Sequence, residues 1–120
     1  MIEEQIIKLT QYILRGEKFF KYKDIVLSID ETEITNPIDY TSYARISIAP
    51  PIYMRSDFND VYSVVYEKQG SGQYTEALRI NAAQKLAREV VTKLLPKLDF
   101  EIKKLVYNTN IDEILSVLDG

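Results

Sequence analysis

The sequence predicts a single-domain α+β fold: a mainly antiparallel sheet of three to four strands, one long packed helix, and helices at the N- and C-termini, in the order α-β-β-β-α-β-α. Three observations predict it. A length of 120 residues suits one domain and is enough to bury a core, so residues 1–120 are read as one α+β unit. Apolar residues make up 46% of the chain and charged residues 28%, a globular composition. Runs of two-residue alternation between positions 19 and 67 are followed by a long run of helical periodicity over 73–95.

Each element has its own signal. Residues 2–15 carry Ile2, Ile6, Leu9 and Ile13 at helical spacing, and Gly16 stands where a C-terminal cap belongs. Ile7 and Leu14 lie off that stripe, so this helix has a second contact line, in its own fold or against another subunit. Phe19 to Asp30 reads as a strand with Ile25, Leu27 and Ile29 on one side and an irregularity at Asp24. Glu31 to Ser42 reads as a loop because of its acids and Asn36-Pro37. Tyr43 to Ala49 alternates until Pro50-Pro51 ends ladder pairing, and residues 52–60 form a connection carrying Tyr53, Met54 and Phe58. Val61 to Glu67 reads as a central strand, apolar or aromatic on both faces. Gln73 to Leu95 is the long helix, with Ile80, Ala83, Leu86, Ala87, Val90, Val91 and Leu94 inward and Pro96 as its stop. Phe100 to Tyr107 reads as a fourth strand, and Asn110 with Glu113 as the capping box of a short last helix.

The net charge of −3 is unevenly spread. Between Asp24 and Asp60 seven acids face two bases, and between Lys68 and Lys104 eight bases face four acids. Such a split either places a negative surface beside a positive one, favouring head-to-tail association, or is mixed away on folding.

The residue set excludes much chemistry. There is no histidine and no cysteine, which removes the general base titrating near neutrality, the Ser-His and Cys-His nucleophile pairs, disulfides, and imidazole or thiolate metal sites. Asp30, Glu31, Glu33 and Asp39 lack calcium-loop spacing and read as a solvated acidic loop. Gly70-Ser71-Gly72 lacks the lysine of a phosphate loop, being followed by Gln73-Tyr74, and has Thr75 where a dinucleotide turn needs its third glycine. It reads as a linker or partner-contacting tip, with an anion site formed by Lys68 and Arg79 as the alternative. Glu76 and Arg79 are expected to form an i,i+3 ion pair. No cofactor is expected and the chain reads as non-enzymatic.

Two binding readings remain. Phe19-Phe-Lys-Tyr-Lys23 interleaves aromatics with Lys21 and Lys23, a pattern that stacks bases and holds phosphates, although the acidic net charge opposes it. Against it stand nine tyrosines and four phenylalanines, more aromatic surface than a small core hides. Tyr40, Tyr43, Tyr53, Phe58 and Tyr74 fall in or beside loops. The expectation is therefore an interaction protein, a homo-oligomer or the subunit of a larger assembly, with Ile7, Leu14, Tyr53, Met54, Phe58 and Tyr74 at its interface. In outline, the element order resembles small head-tail connector and tail-completion subunits of bacteriophages, and also acidic dimeric chaperones of secretion systems; neither likeness carries a shared motif. The N-terminus has no basic or apolar leader character and no apolar run reaches bilayer length, so the expected location is the cytoplasm, or a virion if the protein is viral.

Overall fold

The alternating middle of the chain forms one antiparallel four-stranded sheet in sequence order, covered on one face by two helices. The structure, a computed structural model, describes residues 2–54, 60–68 and 72–100. The elements are α1 (Ile2–Leu14), β1 (Phe19–Tyr22), β2 (Ile25–Thr35), β3 (Ser42–Ala49), a 3-10 turn (Ile52–Met54), β4 (Tyr62–Lys68) and α2 (Gly72–Glu89). This is the expected α+β class. Its four strands arise differently from expectation, because the run from Phe19 folds back on itself instead of continuing to Asp30. Tyr22 pairs with Ile25 across a two-residue turn, and Lys23 in that turn adopts φ +54.

The acid-rich segment beyond Asp30 is also strand where loop was expected. β2 runs on to Thr35 and pairs with β3 from Ser28↔Ala49 to Thr35↔Ser42, leaving only residues 36–41 as the connection. Repulsion among its acids does not melt it, because Glu31 and Glu33 are matched by cations from elsewhere in the chain.

The two-residue period divides the sheet into a covered and an open face. Phe20, Ile25, Leu27, Ile29, Ala44, Ile46, Ile48, Tyr62 and Tyr66 are buried on the covered face. Phe19, Lys21, Val26, Thr32, Arg45, Ser63 and Val65 are exposed on the other. β4 is therefore not central: among the described residues it closes the sheet order, and its outward Val65 is 50% exposed. Its apparent two-sided apolarity came from β-branched residues, which suit the open face of a sheet as well as its core.

Above the sheet, α1 buries Ile6, Leu9, Thr10 and Ile13, and Tyr12 meets Phe20 edge-to-face at 5.2 Å between ring centroids. Ile2, expected on this stripe, is exposed at the helix start. The cap forms as the sequence predicts. Gly16 has φ +76, its N–H bonds Ile13 O at 3.1 Å, and Glu17 N–H bonds Tyr12 O at 3.1 Å, the pair that defines a Schellman motif. A Cβ at Gly16 meets nothing within 4 Å, so Gly16→Ala costs only the left-handed backbone, about 1 kcal/mol, measurable by urea denaturation.

Pro96 does not end the second helix. After α2 the chain makes a π-helical turn over Val90–Leu94, with Leu95 N–H bonding Val90 O, and it is helical again at 95–100. This turn shifts the ladder by one residue just ahead of the proline, and Thr92 Oγ1 donates to Arg88 O at 2.7 Å within it, loosening the α pattern. Val90, Val91, Leu94, Leu95 and Leu98 are all buried, so the inward stripe continues past Pro96. Phe100 is accordingly helical and not the first residue of a strand. The rest of that expected strand and the helix at 110–118 lie outside the described residues, as does Ser71 of the glycine turn. Gly72 opens α2.

Candidate interaction surface

Three local features distinguish this surface: a network that fixes the sheet to the helices, a hairpin that overhangs them, and a groove on their outer side. The network centres on Arg79. Its Nε and Nη2 donate to the two carboxylate oxygens of Glu31 at 3.1 and 3.2 Å. Its Nη1 and Nη2 also donate to Leu14 O and Ile13 O, both at 3.1 Å, at the C-terminal end of α1 where carbonyls lack i+4 partners; Ile13 O accepts from Gly16 N–H as well. Tyr66 Oη donates to Glu31 Oε1 at 2.8 Å, so α1, β2, β4 and α2 meet at one guanidinium.

Burial pushes the Glu31 carboxyl upward, but the hydrogen bonds from Arg79 and Tyr66 and the Arg79 charge outweigh it, so the group titrates below the ordinary glutamate range. Burial, and then donation to Glu31, push the Tyr66 hydroxyl up to about 12. Arg79 thus ion-pairs across the fold with Glu31, in place of the expected i,i+3 pair with Glu76.

The charge asymmetry of the sequence is partly consumed in the same way. Glu31 with Arg79, Glu33 with Lys68, and Asp60 with Lys97 at 3.8 Å each join the acid-rich first half to the base-rich second half.

Beyond Glu31 the hairpin leaves the helix layer, and β2 is exposed from Asp30 to Thr35. Its tip is closed by a dense set of hydrogen bonds. Asn36 N–H bonds Thr41 O and Tyr40 N–H bonds Asn36 O, both at 2.9 Å, and Ile38 N–H bonds the Asn36 side-chain Oδ1 at 2.9 Å. Asp39 Oδ1 accepts from Thr41 N–H at 3.1 Å and from Thr41 Oγ1 at 2.7 Å, and these bonds hold the Asp39 carboxyl below its usual range. The outcome is a fixed display of two large side chains, Ile38 at 88% and Tyr40 at 81% exposure. Tyr40 also carries φ +60, a strained backbone for an aromatic residue. Tyr40→Asn is therefore expected to stabilise the fold by about 1 kcal/mol, read as a higher melting temperature.

α1 and α2 run antiparallel, as shown by the contact of Arg79 with Leu14 at one end and of Arg88 Nη1 with Glu3 Oε1 at 3.8 Å towards the other. Between their outer sides lies an open groove of about 600 Å³, lined by Ile6, Ile7, Thr10, Gln11, Asn81 and Gln84 among others, with Ile6 buried and Ile7 exposed.

The residues singled out in sequence are distributed over these features. Ile7 is 57% exposed in the groove, while Leu14 is half-buried against the core. Tyr53 is exposed on the 3-10 turn and Met54 beside it packs on the core. Tyr74 is exposed in the first turn of α2, and Phe58 lies outside the described residues. Lys68 is paired with Glu33, and Arg79 is committed to the network.

The aromatic-lysine run is divided by the pleat. Phe19 and Lys21 stand exposed on the open face, whereas Phe20 is core and Tyr22 Oη donates to Asp99 Oδ1 at 2.7 Å. Lys23 bonds the same carboxylate. The four acids read as a loop also separate. Glu31 and Glu33 pair with bases, Asp30 falls on the opposite face and Asp39 is at the tip, and among the described residues no three metal-ligating side chains gather.

Sequence reasoning passed over Ile38, because residues 31–42 read as loop. The signal was present in the alternation through Thr32 and Ile34, which keeps strand period up to the Asn36-Pro37 turn. Among the described residues no helix is long and apolar enough to cross a membrane. Compared with protein-family models, curated proteins and solved structures, the chain matches none.

Proposed function

We propose that this chain is a non-catalytic assembly protein, a small subunit that associates with copies of itself, in the manner of the head-tail connector and tail-completion subunits its element order resembles. The observation that carries this reading is the hairpin tip. Ile38 and Tyr40 are displayed almost fully to solvent by a loop whose hydrogen bonds hold Tyr40 in a strained conformation. A stable fold gains nothing from such a display. A binding surface does, because a rigid aromatic anchor loses little entropy on docking. Tyr53 and Tyr74, both more than half exposed, extend the same character around the molecule. The reading places the protein among soluble assembly factors of the cytoplasm or of a virion.

Light scattering across a range of protein and salt concentrations tests it. The expected result is a discrete oligomer whose population grows with concentration, above the 13.9 kDa of one chain. A monomer at every concentration rules out self-assembly.

A further inference from the structure

Building on the assembly reading, we propose that the tip Ile38-Asp39-Tyr40 of one copy docks in the α1–α2 groove of the next, joining copies head-to-tail. The two surfaces match in chemistry. The groove is lined by apolar Ile6 and Ile7, the latter 57% exposed, and by the amides of Gln11, Asn81 and Gln84. A tyrosine suits such a lining better than a purely apolar side chain, since its ring can cover the isoleucines while its hydroxyl meets the amides. At about 600 Å³ the groove has room for the two tip side chains together.

The charges also match. Lys85 and Arg88 line the groove, and Asp39 lies between the two apolar residues of the tip. Glu3 is the one carboxylate among the lining residues, and Arg88 already faces it at 3.8 Å. Lys85 takes part in no ion pair among the described residues, which leaves it to meet Asp39.

Because tip and groove are different patches of one molecule, the contact is heterologous and each copy carries one of each. Such a contact closes into a ring or runs on as a filament. A tip of this size buries less than the roughly 1,200 Å² of standard stable pairs, so each joint is of the weak class, populated by itself at high protein concentration, where the mixing experiment below is run, and strengthened further where a ring closes.

The test is a mixing experiment. A tip variant, Ile38→Ser with Tyr40→Ser, and a groove variant, Ile7→Glu, both change exposed positions; thermal melts verify that each is folded. Alone, each is expected to lose at least tenfold in self-association by sedimentation velocity. Mixed in equal amounts, they still share one intact joint, the groove of the first with the tip of the second. They should form a 1:1 dimer of twice the 13.9 kDa chain mass and nothing larger. A second pair of variants checks polarity: Lys85→Asp weakens association, whereas Lys85→Arg, which keeps the charge, leaves it unchanged. If both variants assemble like the unmodified chain, or if their mixture stays monomeric while that chain assembles, the joint lies elsewhere and only this inference falls. If the unmodified chain is itself monomeric throughout, the assembly reading falls with it.

Discussion

Arg79→Leu is expected to lower the unfolding free energy by about 2 kcal/mol, among the largest effects of any substitution outside the hydrophobic core; most of it comes from the part-buried bonds to the α1 carbonyls, because solvent screens the exposed pair with Glu31. The change strips two donors from the carbonyls of Ile13 and Leu14 and leaves the Glu31 carboxylate partly desolvated with only Tyr66 to satisfy it. Adding Glu31→Leu removes the stranded charge, so the double variant should recover a little under half of the loss; the Leu14 carbonyl has still lost its Arg79 donor, and Ile13 O keeps only Gly16 N–H. Urea denaturation of the two single variants and the double variant measures this, and a double variant as unstable as the sum of the singles would remove the coupling.

The same network sets an acid limit. The folded-state pKa of Glu31 is depressed, so its contribution is fully present above the unfolded glutamate value near 4.5 and is lost as pH falls through the lower folded value. Stability of the unmodified chain should therefore drop more steeply below about pH 4.5 than that of Glu31→Gln.

Ile46→Ala should cost somewhat more, about 3 kcal/mol, through a cavity in the middle of the covered face. Ile46 has no exposure, sits on the inner strand β3, and is flanked by Glu31 on β2 and Val64 on β4. Its neighbour in sequence, Arg45, pairs with Val65 on the open face. Val65→Ala should therefore change stability by no more than about 0.5 kcal/mol. Chemical denaturation of the two variants separates a one-sided sheet from one buried on both faces, for which the two losses would be similar.

How far the sequence revealed this molecule differs from element to element. The stripes Ile6, Leu9, Ile13 and Leu86, Val90, Leu94 and the alternation of Ile25, Leu27 and Ile29 were legible because burial imposes a period on the chain. Gly16 was legible because a left-handed cap favours one residue type. The turn at Lys23 was harder to read, since lysine is not a residue that local chemistry favours at positive φ. The strand through Glu31 and Glu33 was hidden because the bases that neutralise it lie 35 and 48 residues away. Pro96 misled for a related reason: a π turn absorbs the missing donor, and nothing in the residues alone announces that turn. The tip was half legible. Tyr40 stood out as a loop aromatic, but its strain and its display beside an equally exposed Ile38 exist only in the folded hairpin.

The most direct measurement is a paired one on Tyr40→Asn in one buffer, recording melting temperature in dilute solution, where both proteins are monomeric, and molar mass at higher concentration. If the tip is an association element held under strain, the variant melts higher and assembles less than the unmodified chain. A variant that melts higher and assembles equally well would show that Tyr40 is strained without being used, and would contradict the account.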